Sequence, residues 1–354
     1  MVGCGQPKLG KRQRGRYGVE TIGRTPFLPP ATWTPRHNMQ PKKTERLDVT
    51  ELSISRAAAL LQAGGLVALP TETVYGLGAD ARNGTACAGI YEAKGRPSFN
   101  PLIVHVADVS HARHFAVFSD VAEVLAATFW PGPLTLVLPL RPDAVIASLV
   151  TAGLHTVAIR VPRHPVTRDL LAAFGGPIAA PSANPSGRIS ATTPDHVIDG
   201  LDGRIDAVIE AGASSVGVES TIISCVDTPM LLRQGGLPVS EIEAVLDRPI
   251  GFDTSPATLA APGQLASHYA PKGRVRLNAN HAIGDEILLG FGDVTGDLTL
   301  SETGDLVEAA RVLFRRLHEL DAMGATAIAV APIPEHGLGA AINDRLRRAA
   351  APRP

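Results

Sequence analysis

From residue 53 onward the chain alternates between short apolar runs and segments with helical periodicity. Apolar runs bounded by Gly and Pro predict buried strands, whereas apolar positions that recur every three or four residues predict amphipathic helices. The predicted strands are 66–70, 101–106, 134–140, 156–162, 177–183, 207–212 and 220–226, and the predicted helices are 53–65, 85–96, 120–130 and 164–175. Ser53 or Ser55 is expected to cap the first helix. Many short strands interspersed with helices predict an α/β fold.

The pattern is interrupted at residues 253–272, which have no periodicity and are rich in Pro, Ala and Ser. That composition predicts a linker. A second, smaller set of elements follows, with strands predicted at 275–279, 286–292 and 325–333 and helices at 305–320 and 339–350. Asp305 and Glu308 have the spacing of a capping box. We therefore expect a second α/β layer of about 80 residues, with a parallel sheet.

The composition of the 354 residues fits a division into two domains. Apolar residues make up 45% of the chain and aromatic residues only 4%, so Ala, Val, Leu and Ile must fill the cores. The cysteines Cys4, Cys87 and Cys225 have no paired spacing, which argues against a disulfide framework or a zinc site and for a reducing compartment. No apolar run reaches about 18 residues, so we expect no membrane span.

The first residues differ from the rest of the chain. Residues 1–38 contain seven of the 33 basic residues and one of the 34 acidic residues, with no apolar periodicity. We predict a disordered basic extension over 1–46. An organelle transit peptide or a basic nucleic-acid arm would share this composition, but Met39 precedes the first patterned segment, and we expect the native start there. The remaining 26 basic and 33 acidic residues give 39–354 a net charge of −7, which argues against binding long nucleic acid by charge alone.

The sequence lacks the common nucleotide-binding and hydrolase motifs. It has no GxxxxGK[ST], HExxH or GxSxG, and no GxGxxG that opens a helix after a strand. Three polar clusters lie instead beside predicted strand ends: PTETVYGLG at 70–78, KGRPSFN at 94–100 and APSANPSGRIS at 180–190. Such loops are the usual place for ligands in α/β sheets. A guanidinium beside an ammonium suits phosphate oxygens, so Lys94 and Arg96 predict an anion site.

Each of these residues also has a structural interpretation. Lys94 and Arg96 alone would more often be a solvated helix end, where cations favour the C-terminal dipole. PSANPSG alone is typical of a turn, and His105 inside an apolar strand is typical of a core histidine. Arg160 in AIRVP and Arg233 in LLRQGG are harder to explain in this way, because an arginine in a buried run needs an anionic partner. The clusters together favour a binding site.

Six segments, in this order, closely resemble the YrdC/Sua5 family of L-threonylcarbamoyladenylate synthases: PTETVYGLG, KGRPSFNPLIVHV, WPGPLTLVL, AIRVP, APSANPSG and ESTII. The resemblance covers roughly residues 50–250, and the K-x-R plus S-x-N combination is highly specific. SHYAPKG resembles the linker of the long, Sua5-type members. The resemblance implies a YrdC-like twisted mixed sheet with helices around a concave pocket over 47–252, a linker at 253–272 that closes over the active site, and a small C-terminal Rossmann-like α/β domain over 273–354.

Such enzymes condense L-threonine, bicarbonate and ATP into threonylcarbamoyl-AMP and release pyrophosphate. The resemblance therefore implies a cytoplasmic nucleotidyltransferase that uses Mg²⁺ together with ATP, without dedicated protein ligands for the metal. Partner proteins, the tRNA threonylcarbamoyl transferases, would then modify adenosine 37 of tRNAs that read codons beginning with A. We expect a monomer or weak dimer. No strong general base is evident, so positioning and charge stabilisation are expected to carry the rate.

By motif position, the resemblance assigns a role to each candidate residue. Lys94 and Arg96 would be catalytic, neutralising charge on the phosphates and the carbamate. The L-threonine contacts would be Thr73, His105, Arg160, Ser182 and Ser220. The ATP contacts would be Arg96, Asn100, Thr156, Asn184, Thr192 and Arg233, with His268 and Tyr269 closing over the nucleotide. The linker here is smaller and less basic than in many long members, which makes closure a weaker expectation than the pocket.

Two other functions fit parts of the sequence. A non-catalytic module that binds double-stranded RNA or tRNA would use the same concave surface. The acidic net charge of residues 39–354 counts against it, and salt-dependent RNA binding would favour it. A carbamoyl-transfer domain of hydrogenase maturation factors would carry zinc-finger cysteines and an acylphosphatase segment, and the sequence has neither.

Overall fold

Most of the chain folds around one large mixed sheet. The computed structural model describes residues 1–3, 43–252 and 268–352. The strands of the large sheet are β1 (Glu45–Leu47), β2 (Val67–Leu69), β3 (Gly76–Asp80), β4 (Ile103–His105), β5 (Leu134–Pro139), β6 (Thr156–Arg160), β7 (Ile178–Ala179), β8 (Ala207–Ile209), β9 (Thr221–Ser224), β10 (Met230–Arg233) and β11 (Gly251–Phe252). Their spatial order is β1-β8-β2-β3-β7-β4-β6-β5-β9-β10-β11. The predicted α/β class and mixed sheet are confirmed.

Helices cover both faces of this sheet. They are α1 (Glu51–Gln62), α2 (Gly84–Lys94), α3 (Val109–Ala112), α4 (Asp120–Phe129), α5 (Ser148–Thr151), α6 (Pro165–Phe174), α7 (Pro194–Leu201) and α8 (Val239–Leu246). Strand β2 shows how the faces divide, because successive side chains of a strand point to opposite sides. Val67 and Leu69 join the cluster with α1 and α6, whereas Ala68 joins the larger cluster with α2 and α4.

Residues 274–350 form a second, smaller layer. Its elements are β12 (Arg274–Arg276), β13 (Ile287–Gly290), β14 (Leu298–Thr299), α9 (Leu306–Ala322), β15 (Ala327–Val330) and α10 (Leu338–Ala350). The strand order is β12-β15-β13-β14, and every pair is parallel, as predicted. Asp305 caps α9 by accepting from the N–H groups of Val307 and Glu308. The Ser301 hydroxyl completes the cap, since it donates to Glu308 and accepts from the Asp305 N–H.

The two layers share part of one apolar core. Val74, Val218 and Tyr269 are buried in the same cluster as Leu313 and Leu317 of α9. Burial of this shared surface from water stabilises the contact between the layers. The loops that carry Val74 and Val218 therefore depend on both layers for their position.

The structure differs from the predicted elements at several positions. Thr50, not Ser53 or Ser55, caps α1, because its Oγ1 accepts from the Ser53 N–H at 3.3 Å. The end of the PTETVYGLG segment forms a strand that was not predicted, β3, antiparallel to β2. This pairing suits glycine, because a Cβ at Gly78 would lie 2.8 Å from Leu69 and 2.9 Å from Ile178. Helix α7 was not predicted, although Thr193 and Pro194 supply its cap and first residue.

Part of the predicted organisation lies outside the described residues. Most of the basic extension falls in residues 4–42, and most of the linker falls in residues 253–267. The predicted domain boundaries remain predictions. No helix in the described ranges is long and apolar enough to cross a membrane.

Candidate functional site

A pocket lies against strands β3, β4 and β6, bordered by the loops that follow β2 and β7 and by the one that precedes β9. Its lining residues are Thr71, Thr73, Val74, Gly76, Arg96, Ile103, His105, Arg160, Ala180, Pro181, Ser182, Glu219, Ser220, Arg233, His268 and Tyr269. The three polar clusters of the sequence all contribute. Among the predicted site residues, the pocket brings together Thr73, Arg96, His105, Arg160, Ser182, Ser220, Arg233, His268 and Tyr269.

Two buried cations lie at the end of α2: Arg96 lines the pocket, and Lys94 lies beside it against the Ser182 carbonyl. Lys94 is 3% exposed, and its Nζ donates to the carbonyls of Ser182, at 2.6 Å, and Asn184. Arg96 is 9% exposed and donates to the carbonyls of Asn100 and Pro101 at 3.3 and 3.0 Å. In the described parts of the chain neither forms an ion pair with a carboxylate.

These two cations are poorly compensated by the protein. Burial, together with Arg96 nearby, holds the pKa of the Lys94 ammonium well below its usual value. Burial also lowers the pKa of Arg96 to about 10. A buried charge is costly unless a counter-charge approaches it. The pair is therefore suited to an anionic ligand, as the sequence predicted, and is not a solvated helix end.

Arg160, the last residue of β6, is held by the PTET turn. Its Nη2 lies 2.7 Å from the Glu72 carboxylate, and its Nη1 donates to Thr73 Oγ1 at 2.8 Å. Glu72 is also buried, and although burial alone would raise its pKa, Arg160 holds that pKa below its usual value. The anionic partner that an arginine in a buried run requires is thus Glu72, and a ligand is not needed to explain its burial.

Ser220 and Arg233 also line the pocket. Arg233 donates to the Ser220 carbonyl from Nε at 3.1 Å and from Nη2 at 2.9 Å, and to Ser220 Oγ at 3.1 Å. The Ser220 hydroxyl also lies 2.7 Å from Thr135 Oγ1. These contacts fix the hydroxyl and the guanidinium relative to each other, so both face the same ligand volume.

His268 and Tyr269 reach the pocket from the segment that leads into the second layer. Their rings make an edge contact with centroids 4.3 Å apart, and Tyr269 also packs against Phe314 of α9. Tyr269 has a positive φ of 61°, a conformation that is uncommon outside glycine. The described end of the linker therefore covers the pocket in a defined conformation.

Five predicted site residues lie outside the pocket lining, and one of them, Lys94, lies beside it against the Ser182 carbonyl. Asn100 and Asn184 are buried beside it, and the Asn184 amide donates to the carbonyls of Pro185 and Arg188. Thr192 lines a separate cavity beside α9. Thr156 begins β6 and Arg160 ends it, so about 13 Å of strand separates them. The structure does not bring Thr156 to the site.

Sequence reasoning missed two carboxylates at the site, Glu72 and Glu219. Both stand inside segments that the sequence singled out, PTETV and ESTII. The signal that could have revealed these carboxylates was the two arginines in apolar runs, because a buried arginine requires an anionic partner. Glu219 is the one carboxylate among the residues that line the pocket.

The described residues do not fit a resident magnesium site. They include no group of three or more His, Cys, Asp or Glu side chains that could hold a metal ion. Arginines dominate the polar lining, and Glu219 is engaged by Ser190 and Arg345. Guanidinium groups bind anions, whereas Mg²⁺ requires oxygen ligands.

We expect acid to destabilise the protein through three histidines, of which two are buried and His196 is half-buried. Burial lowers the pKa of His105, His196 and His268 from 6.5 to about 3, so they stay neutral in the folded state. The unfolded state binds more protons in this range, so their contribution is complete above pH 6.5 and is lost as the pH falls toward 3. Between about pH 7.5 and about pH 5.5, each histidine is expected to lower the free energy of unfolding by about 1.4 kcal/mol, and the three together by about 4 kcal/mol.

Urea unfolding at about pH 7.5 and about pH 5.5 measures this difference. Replacing His105 with glutamine should remove about a third of it, because glutamine does not titrate. Equal free energies of unfolding at the two pH values would contradict the buried neutral state of these rings.

Two family models match this chain. Residues 59–235 match the Sua5/YciO/YrdC model, described as telomere recombination, and residues 237–351 match the C-terminal domain of threonylcarbamoyl-AMP synthase. The chain is 42% identical over 334 residues to the threonylcarbamoyl-AMP synthase of Bacillus subtilis, which covers 87% of this chain and 95% of that protein. It is 40% identical over 324 residues to the enzyme of that name from Pyrococcus abyssi, covering 85% and 95%.

A solved structure shows the same fold over most of the chain. The crystal structure of Pyrococcus abyssi Sua5 complexed with L-threonine superposes with a TM-score of 0.80 at 39% identity. The match covers 87% of this chain and 98% of that protein. Both layers therefore have counterparts in a single known structure.

Proposed function

Since the chain belongs to the Sua5/YciO/YrdC family and carries the threonylcarbamoyl-AMP synthase C-terminal domain, we propose that it condenses L-threonine, bicarbonate and ATP into L-threonylcarbamoyladenylate. The threonine amine adds to bicarbonate and water leaves, which gives a carbamate. A carbamate oxygen then bonds to the α-phosphorus of ATP while the bond to the β-phosphate oxygen breaks. Pyrophosphate is the leaving group.

The buried pair Lys94 and Arg96 is the observation that supports this reaction most directly. Within the described ranges both side chains donate to backbone carbonyls and neither forms an ion pair, so their positive charge has no carboxylate in direct contact. Charge builds on the phosphates as the leaving group departs, and cations fixed in advance stabilise it without reorganising. The carbonyl contacts supply that fixation.

The part of the pocket around Arg160 suits the amino acid. Thr73, His105 and Ser220 offer polar groups around Arg160, and Ser182 lies on the adjoining loop. We assign L-threonine to this part, with the Arg160 guanidinium near its carboxylate. Glu72 already pairs with Arg160. The substrate carboxylate would therefore bind the same guanidinium alongside Glu72.

The nucleotide would extend from Lys94 and Arg96 toward Arg233, under His268 and Tyr269. Asn100, Asn184 and Thr192 would contact it only after local adjustment, and Thr156 has no support from the geometry. Mg²⁺ would enter with the phosphates of ATP, because the described residues offer no ligand set for it. The covering segment would exclude water from the adenylate.

The setting of the reaction follows from the family alone. We propose that the product passes to tRNA threonylcarbamoyl transferase proteins in the cytoplasm, for modification of adenosine 37 of tRNA. We further propose that the protein acts as a monomer or weak dimer.

Isotope labelling tests the identity of the product. The full chain is incubated with ATP, Mg²⁺, L-threonine and ¹³C-bicarbonate, and the products are separated by mass spectrometry. One ¹³C atom per threonylcarbamoyl-AMP molecule is the expected result. A threonine adenylate without ¹³C would contradict the carbamate step.

A further inference from the structure

A fully buried arginine of the second layer reaches the edge of the candidate site. Arg345 lies on α10 and is 0% exposed. Its Nε is 3.0 Å from the Glu219 carboxylate, 126 residues earlier in the chain. Its Nη1 donates to the Gln234 carbonyl and lies 3.2 Å from Asp344. An arginine is rarely buried to this extent unless its charge is paired.

The partner of this arginine belongs to the pocket itself. Glu219 lines the pocket and directly precedes Ser220, a predicted substrate contact. One Glu219 oxygen accepts from Ser190 Oγ at 2.5 Å, and the other is paired with Arg345. Without Arg345, the Glu219 carboxylate would keep the neutral Ser190 hydroxyl as its side-chain donor. Its negative charge would then lie beside the volume that an anionic ligand must enter.

The backbone around Glu219 is packed between the two layers. A Cβ on Gly217 would lie 2.4 Å from the Ala310 carbonyl of α9, and one on Gly235 would lie 2.3 Å from the Glu219 carbonyl. Both distances are far below a normal contact, so only glycine allows this approach. Helix α9, helix α10 and the chain after β10 therefore hold the Glu219 segment from three sides.

Arg345 also contacts the segment that covers the pocket. Its guanidinium carbon lies 5.6 Å from the centre of the Tyr269 ring, within the range of a cation–π contact. The same side chain thus touches the Glu219 loop and the covering segment.

We propose that Arg345 is a positioning residue for the nucleotide half of the reaction, and that it makes the second layer a working part of the site. It neutralises Glu219, so the pocket accepts the polyanionic ATP, and it holds Glu219 and Tyr269 in place. The inference rests on the proposed function, because it requires ATP to occupy this pocket. L-threonine is a zwitterion with no net charge, so its affinity depends much less on the neutralisation.

Steady-state pyrophosphate release by Arg345→Met tests the assignment. We expect the KM for ATP to rise at least about tenfold and kcat/KM for ATP to fall on the order of 100-fold, with the KM for L-threonine changed less than about threefold. Adding Glu219→Gln to Arg345→Met should restore kcat/KM for ATP by about tenfold or more, because it removes the unpaired charge. Arg347→Met is the matched control, since Arg347 is exposed on the same helix and pairs with exposed Glu335.

The outcomes separate this inference from the proposed function. An inactive parent enzyme would overturn the proposed function, and the inference with it. An active parent with an unchanged KM for ATP in Arg345→Met, or a double variant no better than the single one, would overturn the inference alone. If Arg345→Met does not fold, the double variant carries the test: it should fold and retain ATP turnover within about tenfold of Arg347→Met. A loss of more than about tenfold would overturn the proposal that Arg345 acts by neutralising Glu219.

Discussion

Replacing Lys94 with methionine is expected to lower kcat/KM for pyrophosphate release by roughly 100- to 1,000-fold. The Lys94 ammonium is buried and held by two backbone carbonyls, so no other cation can move into its place. Its charge is needed where the phosphates develop negative charge, and methionine keeps the volume of the stem without the charge. The loss should appear in kcat as well as in KM, because the charge builds up toward the transition state.

Two further measurements separate this loss from unfolding. Methionine leaves the Ser182 and Asn184 carbonyls without their donor, which should cost about 1–3 kcal/mol of stability. The affinity for L-threonine should change much less than kcat/KM, because Lys94 contacts the threonine part of the pocket only through the Ser182 carbonyl. Lys43→Met is the control, since Lys43 is exposed. Activity of Lys94→Met within tenfold of this control would remove Lys94 from the mechanism.

Replacing Arg160 with methionine should have the largest effect on stability. It leaves Glu72 buried with an uncompensated charge, a loss of about 3–5 kcal/mol in the free energy of unfolding. Arg163→Met is the control: its side chain is exposed and only its backbone N–H contacts Glu72, so a change within about 0.5 kcal/mol is expected. Urea unfolding measures both variants.

A double variant distinguishes the structural role of Arg160 from its proposed substrate role. Glu72→Gln combined with Arg160→Met removes both charges, so most of the lost stability should return. Threonine-dependent turnover should not return, because the guanidinium that faces the substrate carboxylate is still missing. Recovery of turnover in the double variant would show that Arg160 acts only as the partner of Glu72.

Local sequence patterns were sufficient to predict much of the fold. The strand LVALP and the helix that ends at Lys94 follow from apolar runs and from Gly95, whose φ of 60° ends the helix. The parallel second sheet was predicted from a small set of strands and helices, although its first three strands follow one another without a helix between them. The predicted cap of the first helix was wrong because Thr50, which can also cap a helix, accepts the hydrogen bond from the Ser53 N–H. The Ser53 hydroxyl contacts Asp48 instead, which only the three-dimensional structure of the turn shows.

The candidate site was predicted in part, and the misses have a physical cause. Lys94, Arg96 and Ser182 lie together as their motifs indicated, because all three lie at or just after the end of a regular element. Thr156 was placed at the site although it begins the strand that Arg160 ends, and an apolar run does not reveal which end faces a pocket. The Glu219–Arg345 pair joins residues 126 positions apart in two layers, so no local pattern could indicate it.

Pyrophosphate release by the full chain tests the central claim most directly. The assay contains ATP and Mg²⁺, and L-threonine and bicarbonate are added singly, together or not at all. We predict release only when both are present, because the attacking group is the carbamate that they form. Release that is indifferent to L-threonine, or no release in any mixture, would contradict a threonylcarbamoyl-AMP synthase and would favour the RNA-binding alternative.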